Sequence, residues 1–171
     1  MYIQITNRCN MSCEHCGMNC TAQGEDMTPK TFKNALSYCD EVVSIGGGEP
    51  TIHPKFKQFL FDAIGHCEYV WMATNGSMTE IALTLSKMAK KGIISCALSQ
   101  DPYHDPIDEK VVEAFTQGQK NALAGEHDCR EIRNVYGNEI NGGRCDFGKE
   151  DGCICSGLIV RPNGGCLRLR L

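Results

Sequence analysis

The 171-residue sequence predicts an α/β fold built on a parallel sheet. Three observations carry that expectation. Strand-like and helix-like segments alternate at roughly 25–30 residues per unit, a spacing that implies parallel strands joined by right-handed crossovers. The chemically distinctive motifs each fall just past a strand-like segment, where ligands bind in open α/β sheets and in barrels. No internal repeat or low-complexity run interrupts the pattern. The periodicity alone leaves a flat doubly wound sheet and a barrel both open.

Residues 2–6 read as the first strand and lead into a cysteine-rich loop. Thr28-Pro29 predicts a helix start, with threonine as N-cap and proline at the first helical position. Phe32, Ala35, Leu36 and Cys39 then recur on one helical face. Residues 42–45 form a short buried-type strand ending at glycines, and Phe56, Phe59, Leu60, Ala63 and Ile64 mark a second helix. Residues 69–74 give a third strand. Ser77 and Glu80 suggest a capping box for a helix carrying Ile81, Leu85 and Met88. Residues 93–99 make a fourth strand and residues 108–115 a fourth helix. Residues 117–128 are polar and read as loop or weak helix; residues 131–136 read as a fifth strand, and residues 138–151 as loop. Leu158-Ile159-Val160, an Asn163-Gly164 turn and residues 166–171 predict a hairpin, whose alternating leucines would face a core.

The net charge of −4 argues against a general nucleic-acid or anionic-membrane binder, although one nucleotide or one tRNA end remains a compatible substrate. No apolar run is long enough to span a bilayer. Polar Gln4, Asn7 and Arg8 break the first ten residues, so no signal peptide is expected and the expected location is cytoplasmic. Twelve cysteines in a chain of this length and helical pattern favour metal or cluster chemistry over a disulfide framework.

Cys9, Cys13 and Cys16 sit in Cys-Asn-Met-Ser-Cys-Glu-His-Cys. Three thiolates on one loop leave one iron of a 4Fe–4S cubane open; Cys20, four residues on, would instead complete a tetrahedral zinc site. Gly46-Gly47-Gly48-Glu49-Pro50 follows the second strand and by itself reads as a strand-to-helix turn. Asn75 lies in a turn after the third strand, and Ser99 and Asp101 follow the fourth. If Ser99 faces inward, so do the small residues Ser95 and Ala97, and Cys96 faces the helices. Tyr103, His104 and Asp105 either touch a substrate, with His104 as a proton donor, or are ordinary loop residues. Cys39, Cys67 and Cys129 are assigned to packing.

Together, the cysteine triad and the Gly-Gly-Glu-Pro run resemble the radical S-adenosylmethionine (SAM) superfamily, strongly over residues 2–115 and weakly beyond. The resemblance implies a partial (β/α)6 TIM-like barrel with a small C-terminal β-hairpin. It implies a single domain over residues 1–171, with a core of 1–136 and a cysteine-rich segment of 137–171. It implies that Cys9, Cys13 and Cys16 hold a 4Fe–4S cluster. His15, Gly47, Gly48, Glu49, Asn75, Ser99 and Asp101 would line the SAM site, the glycines letting the backbone approach the methionyl amino group and Glu49 bracing it. Pro102 stands where the family usually has glycine. Cys145, Cys153, Cys155 and Cys166 resemble an auxiliary-cluster region and would hold a second iron–sulfur cluster or zinc, although the further cysteine-rich segment of such relatives is missing. The implied activity is reductive cleavage of SAM to a 5′-deoxyadenosyl radical for hydrogen abstraction. The electron donor would be a flavodoxin or ferredoxin and the substrate a peptide or protein side chain. The alternatives are a glycyl-radical-enzyme activase, a small-molecule or nucleotide enzyme, and a non-enzymatic zinc- or cluster-binding scaffold.

Overall fold

Alternation along the strands places apolar residues on one face of the sheet and small or polar ones on the other. The structure, a computed structural model, describes residues 1–133 apart from His15, Gly17 and Asp40, together with residues 158–168. Its strands are β1 (Tyr2–Thr6), β2 (Val42–Gly47), β3 (Tyr69–Thr74), β4 (Ser95–Ser99), β5 (Arg130–Arg133), β6 (Leu158–Val160) and β7 (Cys166–Arg168). Its helices are α1 (Pro29–Leu36), α2 (Phe56–Ile64), α3 (Thr79–Lys90) and α4 (Glu109–Leu123), with a 3₁₀ turn at Pro50–Ile52. The sheet order is β5-β4-β3-β2-β1-β6-β7. Six strands run parallel and β7 returns antiparallel to β6. This is an open α/β sheet of the partial-barrel kind. The sixth parallel strand does not follow β5; it lies on the outer side of β1 as the first arm of the expected hairpin.

The helix-side face carries Ile3 and Ile5, Val43 and Ile45, Val70 and Met72, and Cys96 and Leu98. These pack against Phe32 and Leu36 of α1, Phe59 and Leu60 of α2, Leu85 of α3, and Val111 and Phe115 of α4. Phe32 and Phe59 stack with centroids 4.2 Å apart, joining α1 to α2. Tyr2, Gln4, Ser44, Gly46, Trp71, Ala73, Ser95, Ala97 and Ser99 alternate with this set and so point to the opposite face, as the reading of Ser95, Ala97 and Cys96 required.

Capping follows the sequence at α1, where Thr28 accepts from the Thr31 backbone at 3.1 Å. It departs at α3. Met78 occupies the N-cap and makes no side-chain bond, because Ser77 is engaged elsewhere. Helix α4 continues to Leu123, well into the polar stretch. Gln117 bonds Asn121 one turn on at 2.7 Å, and Asn121 bonds Asp128 beyond the helix at 3.0 Å, so polar contacts hold the extension. Residues 134–136 of the expected fifth strand, the loop at 138–151 and residues 169–171 lie outside the described residues.

Arg130 is buried against α4, paired with Asp128 and donating to the Ala114 carbonyl at 2.8 Å. Gly118 leaves the space for it, since a Cβ there would run into the Arg130 side chain. Gly118→Ala gains about 1 kcal/mol of helix propensity and forces overpacking that costs about 1–3 kcal/mol. Denaturant unfolding is expected to show a net loss of stability, where an exposed helical glycine would show a gain.

Candidate functional site

The cysteine loop leaves β1 and is pinned at its base before it reaches the thiols. Cys9 donates its backbone N–H to Thr21 at 2.8 Å, and Met27 returns to Ile5 at 2.7 Å. Arg8 grips Asp26 with two bonds of 3.0 and 2.8 Å, and Thr6 bonds the same carboxylate at 2.7 Å. Cys9, Cys13 and Cys16 are each half-buried and line one pocket. The Cys9 sulfur accepts from the Met11 backbone at 3.4 Å and the Cys16 sulfur from the Cys20 backbone at 3.4 Å. Cys20 itself is buried beneath Gly48 and outside the pocket lining, which fits packing and not a fourth ligand.

Burial pushes the Cys9 thiol up, and the charges of Glu49 and Cys16 add to it. Burial, then Cys9 and Cys16, push Cys13 to about 11. Three sulfurs that disfavour one another's thiolates are suited to a cationic guest, which reverses that preference by supplying the missing charge. Among the described residues, no three His, Cys, Asp or Glu side chains converge tightly enough for a single metal ion. The three half-buried sulfurs face one pocket, and thiolates are the donors an iron–sulfur cluster takes.

The glycine run docks this loop onto β2. Gly47 has φ of +149°, and a side chain there would run into the Thr6 carbonyl. A Cβ on Gly48 would meet the Arg8 carbonyl. Gly48 and Glu49 donate their backbone N–H groups to Thr6 at 3.0 Å and Arg8 at 2.9 Å, extending the β1–β2 ladder beyond both strands. On the inner face, Gly46 leaves room for the Tyr2 phenol, which lies across it.

Glu49 is fully buried. Its Oε1 accepts from Thr51 N at 3.0 Å, Thr51 Oγ1 at 2.6 Å and Thr74 Oγ1 at 2.8 Å; its Oε2 accepts from Asn75 N at 2.6 Å. Burial raises its pKa and these donors pull it back. Asn75 turns its side chain toward the cysteine loop, with Nδ2 at 3.1 Å from Asn10 Oδ1 and 3.9 Å from Cys9 Sγ.

Ser99 lies at the end of β4, where its Oγ accepts from Arg133 at 3.3 Å. Buried Asp101 bonds the Tyr103 backbone at 3.0 Å and the His104 ring at 2.8 Å, so Pro102 opens a tight turn that brings His104 into the pocket wall. Arg133 also stands over the Trp71 ring at 5.8 Å, and Trp71 donates to Glu131 at 3.3 Å.

The pocket thus brings together Cys9, Cys13, Cys16, Gly47, Gly48, Glu49, Asn75 and Ser99. Asp101 stands behind His104, close enough for its charge to reach Cys13. His15, Cys145, Cys153 and Cys155 lie outside the described residues. Cys166 opens β7 and is exposed. Sequence reasoning did not find Tyr2, Trp71, Arg133 or Asn10. The first two were signalled by period-2 alternation opposite the core residues of β1 and β3.

Residues 3–122 match the sequence profile described as the Radical SAM superfamily. The chain is 29% identical over 108 residues to the tungsten-containing aldehyde ferredoxin oxidoreductase cofactor-modifying protein of Pyrococcus furiosus, covering 59% of this chain and 30% of that protein. It is 33% identical over 82 residues to the mycofactocin maturase MftC of Mycobacterium ulcerans, covering 43% and 21%. It is 30% identical over 80 residues to an S-adenosylmethionine-dependent nucleotide dehydratase of a Thermoplasmatales archaeon, covering 44% and 29%. The solved structure of anSMEcpe with bound AdoMet shares the fold at TM-score 0.50 and 18% identity, covering 78% of this chain and 50% of that one. The matched segments thus span half or less of each relative's length.

Glu49→Gln tests the bracing directly. Each carboxylate oxygen faces donors only, so an amide NH₂ in either orientation meets another donor. Leaving a buried donor unpaired costs about 1–3 kcal/mol. Denaturant unfolding of the metal-free protein is expected to show a loss of that size, with a smaller loss for Glu80→Gln on the exposed start of α3. The cysteine triad, the glycine-docked loop and the profile match over most of the chain place this protein in the radical SAM superfamily.

Proposed function

We propose that this protein cleaves SAM reductively at a 4Fe–4S cluster carried by Cys9, Cys13 and Cys16, generating a 5′-deoxyadenosyl radical that abstracts hydrogen from a peptide or protein side chain. The observation that carries the reading is the single pocket holding all three thiols beside Gly47, Gly48 and Glu49. A reduced cluster supplies the electron that breaks a C–S bond of SAM. The chain's own residues do the rest. The three thiols provide the ligands. Gly47, Gly48, Glu49, Asn75, Ser99 and Asp101, with His15, are the residues proposed to hold SAM. Because the Gly48 and Glu49 N–H groups are spent on β1, this stretch offers a SAM ammonium its carbonyl side. Helices shield the far face of the sheet, and on the inner face the small residues Gly46, Ala73 and Ser99 line the pocket between Tyr2 and Trp71.

The peptide reading is supported by a second structural neighbour, anSMEcpe with bound AdoMet and Kp18Cys peptide, 17% identical at TM-score 0.50. A nucleotide substrate is the second reading, favoured by the dehydratase match and by Arg133, the sole Lys or Arg in the pocket lining among the described residues. A flavodoxin or ferredoxin is the proposed electron donor. A second cluster or zinc at Cys145, Cys153, Cys155 and Cys166 rests on cysteine spacing alone. No helix among the described residues is long and apolar enough to cross a membrane.

Anaerobic reconstitution with iron and sulfide, followed by dithionite and SAM, is expected to yield 5′-deoxyadenosine by mass spectrometry. Changes around a metal ligand cost about 10–100-fold, so Cys13→Ala, which removes a ligand, is expected to exceed that and lose its iron. Iron retained in Cys13→Ala at the parent level would overturn the assignment of the triad. Iron beyond one cluster's complement that survives Cys13→Ala would report the second site.

A further inference from the structure

Asn75, Ser77 and Asn10 form a closed ring of hydrogen bonds against the cysteine loop. Asn10 Nδ2 donates to Ser77 Oγ at 2.8 Å, Ser77 Oγ to Asn75 Oδ1 at 2.7 Å, and Asn75 Nδ2 to Asn10 Oδ1 at 3.1 Å. The direction of the ring is not arbitrary. The Ser77 backbone N–H also reaches Asn75 Oδ1 at 3.0 Å, and a backbone N–H can only donate. The atom it meets must therefore be the amide oxygen, which turns the Asn75 NH₂ toward the loop. One of the two amide hydrogens serves Asn10. The same nitrogen also lies within donating reach of the Cys9 sulfur, at 3.9 Å. The Asn75 backbone is fixed independently, since its N–H is bound to Glu49 at 2.6 Å.

We propose that Asn75 is a positioning residue for the ligand Cys9, its locked amide donating to the Cys9 sulfur and holding the cluster at a less negative potential. The inference rests on the cluster assignment above. Hydrogen bonds to ligand sulfurs withdraw charge and stabilise the reduced state, while nearby negative charge does the opposite. Both influences meet at Cys9. The Glu49 carboxylate acts on its sulfur electrostatically, and Asn75, bonded to that carboxylate through its backbone, presents a donor to the sulfur. Asn10 and Ser77 hold the amide so that it cannot turn its oxygen toward the thiolate.

The discriminating variant is Asn75→Asp. It keeps the shape, and the ring re-forms in the opposite sense: Asn10 flips to donate to the introduced carboxylate, and Ser77 donates to the freed Asn10 oxygen or stays on that carboxylate. The pin on the loop survives, but the group facing Cys9 becomes an acceptor with a negative charge. The measurement is the midpoint potential of the reconstituted cluster by EPR-monitored redox titration, with iron content and thermal unfolding alongside. Asn75→Asp is expected to load iron as the parent does and to titrate at a clearly more negative potential. Asn75→Ala, which removes the donor without adding charge, should shift in the same direction by less. If Asn75→Asp loads no cluster, the Asn75→Ala shift decides alone. A potential unchanged in the loaded variants overturns the role of Asn75 and leaves the cluster assignment standing. A parent that forms no EPR-active cluster overturns both.

Discussion

A buried carboxylate is the constraint on which the site depends. Glu49 lies fully out of water at the junction of β2 and its following turn. A charge in that position is tolerated only when its oxygens are filled by donors. Those donors are not local decoration. Thr51 comes from the 3₁₀ turn, whereas Thr74 and Asn75 come from the end of the neighbouring strand β3. Satisfying one side chain therefore fixes how two strand ends lie relative to each other. Thr74 passes the constraint on, because its hydroxyl also accepts from Gly76 N at 3.1 Å and so shapes the turn that carries Ser77.

The glycines add a second constraint on the other side of β2. In open α/β sheets, ligands bind in the crevice outside the carboxyl ends of the strands. Here β1 and β2 stay bonded past their ends, as Gly48 and Glu49 continue the ladder to Thr6 and Arg8. That requires backbone against backbone, which only glycine allows at positions 47 and 48. The consequence is that the cysteine loop starts from a fixed point. Cys9 follows Arg8 directly, and Arg8 is held by Glu49 on one side and Asp26 on the other. A pair of glycines that reads as permissiveness toward a ligand serves, in the fold, to hold a loop.

Much of this was legible in the sequence because its signals are local. The strands at residues 2–6 and 69–74 and the face of α1 follow from periods of two and 3.6 residues, which a short window contains. The cysteine spacing and the glycine run needed no tertiary knowledge either. The failures share a different cause. Ser77 has the right residue type and spacing for a capping box, but Asn10 and Asn75 outcompete the helix for its hydroxyl, and Asn10 is 67 residues away. Helix α4 outlasts its apolar face because Gly118 admits Arg130 and because Asn121 reaches Asp128, both contacts with the following strand region. Arg133 reads as one more charge on a short strand until the sheet places it beside Ser99 and Trp71.

The same distinction separates what the pocket's parts can do. On its cysteine side, the polar groups are mostly committed to one another: Glu49 to four donors, and Asn10, Ser77 and Asn75 to a closed ring. Committed groups hold geometry, which suits a fixed inorganic ligand set. On the β4–β5 side, Asp101 holds His104 closely, but the contacts of Arg133 and Trp71 are longer. Arg133 rests on Ser99 at 3.3 Å and over an indole face, and Trp71 reaches Glu131 at 3.3 Å. Among the described residues the guanidinium is held by one long bond and a ring face, contacts that an arriving anionic group displaces at little cost. Rigidity thus falls around the thiols, and exchangeable contacts fall on the Arg133 side of the pocket.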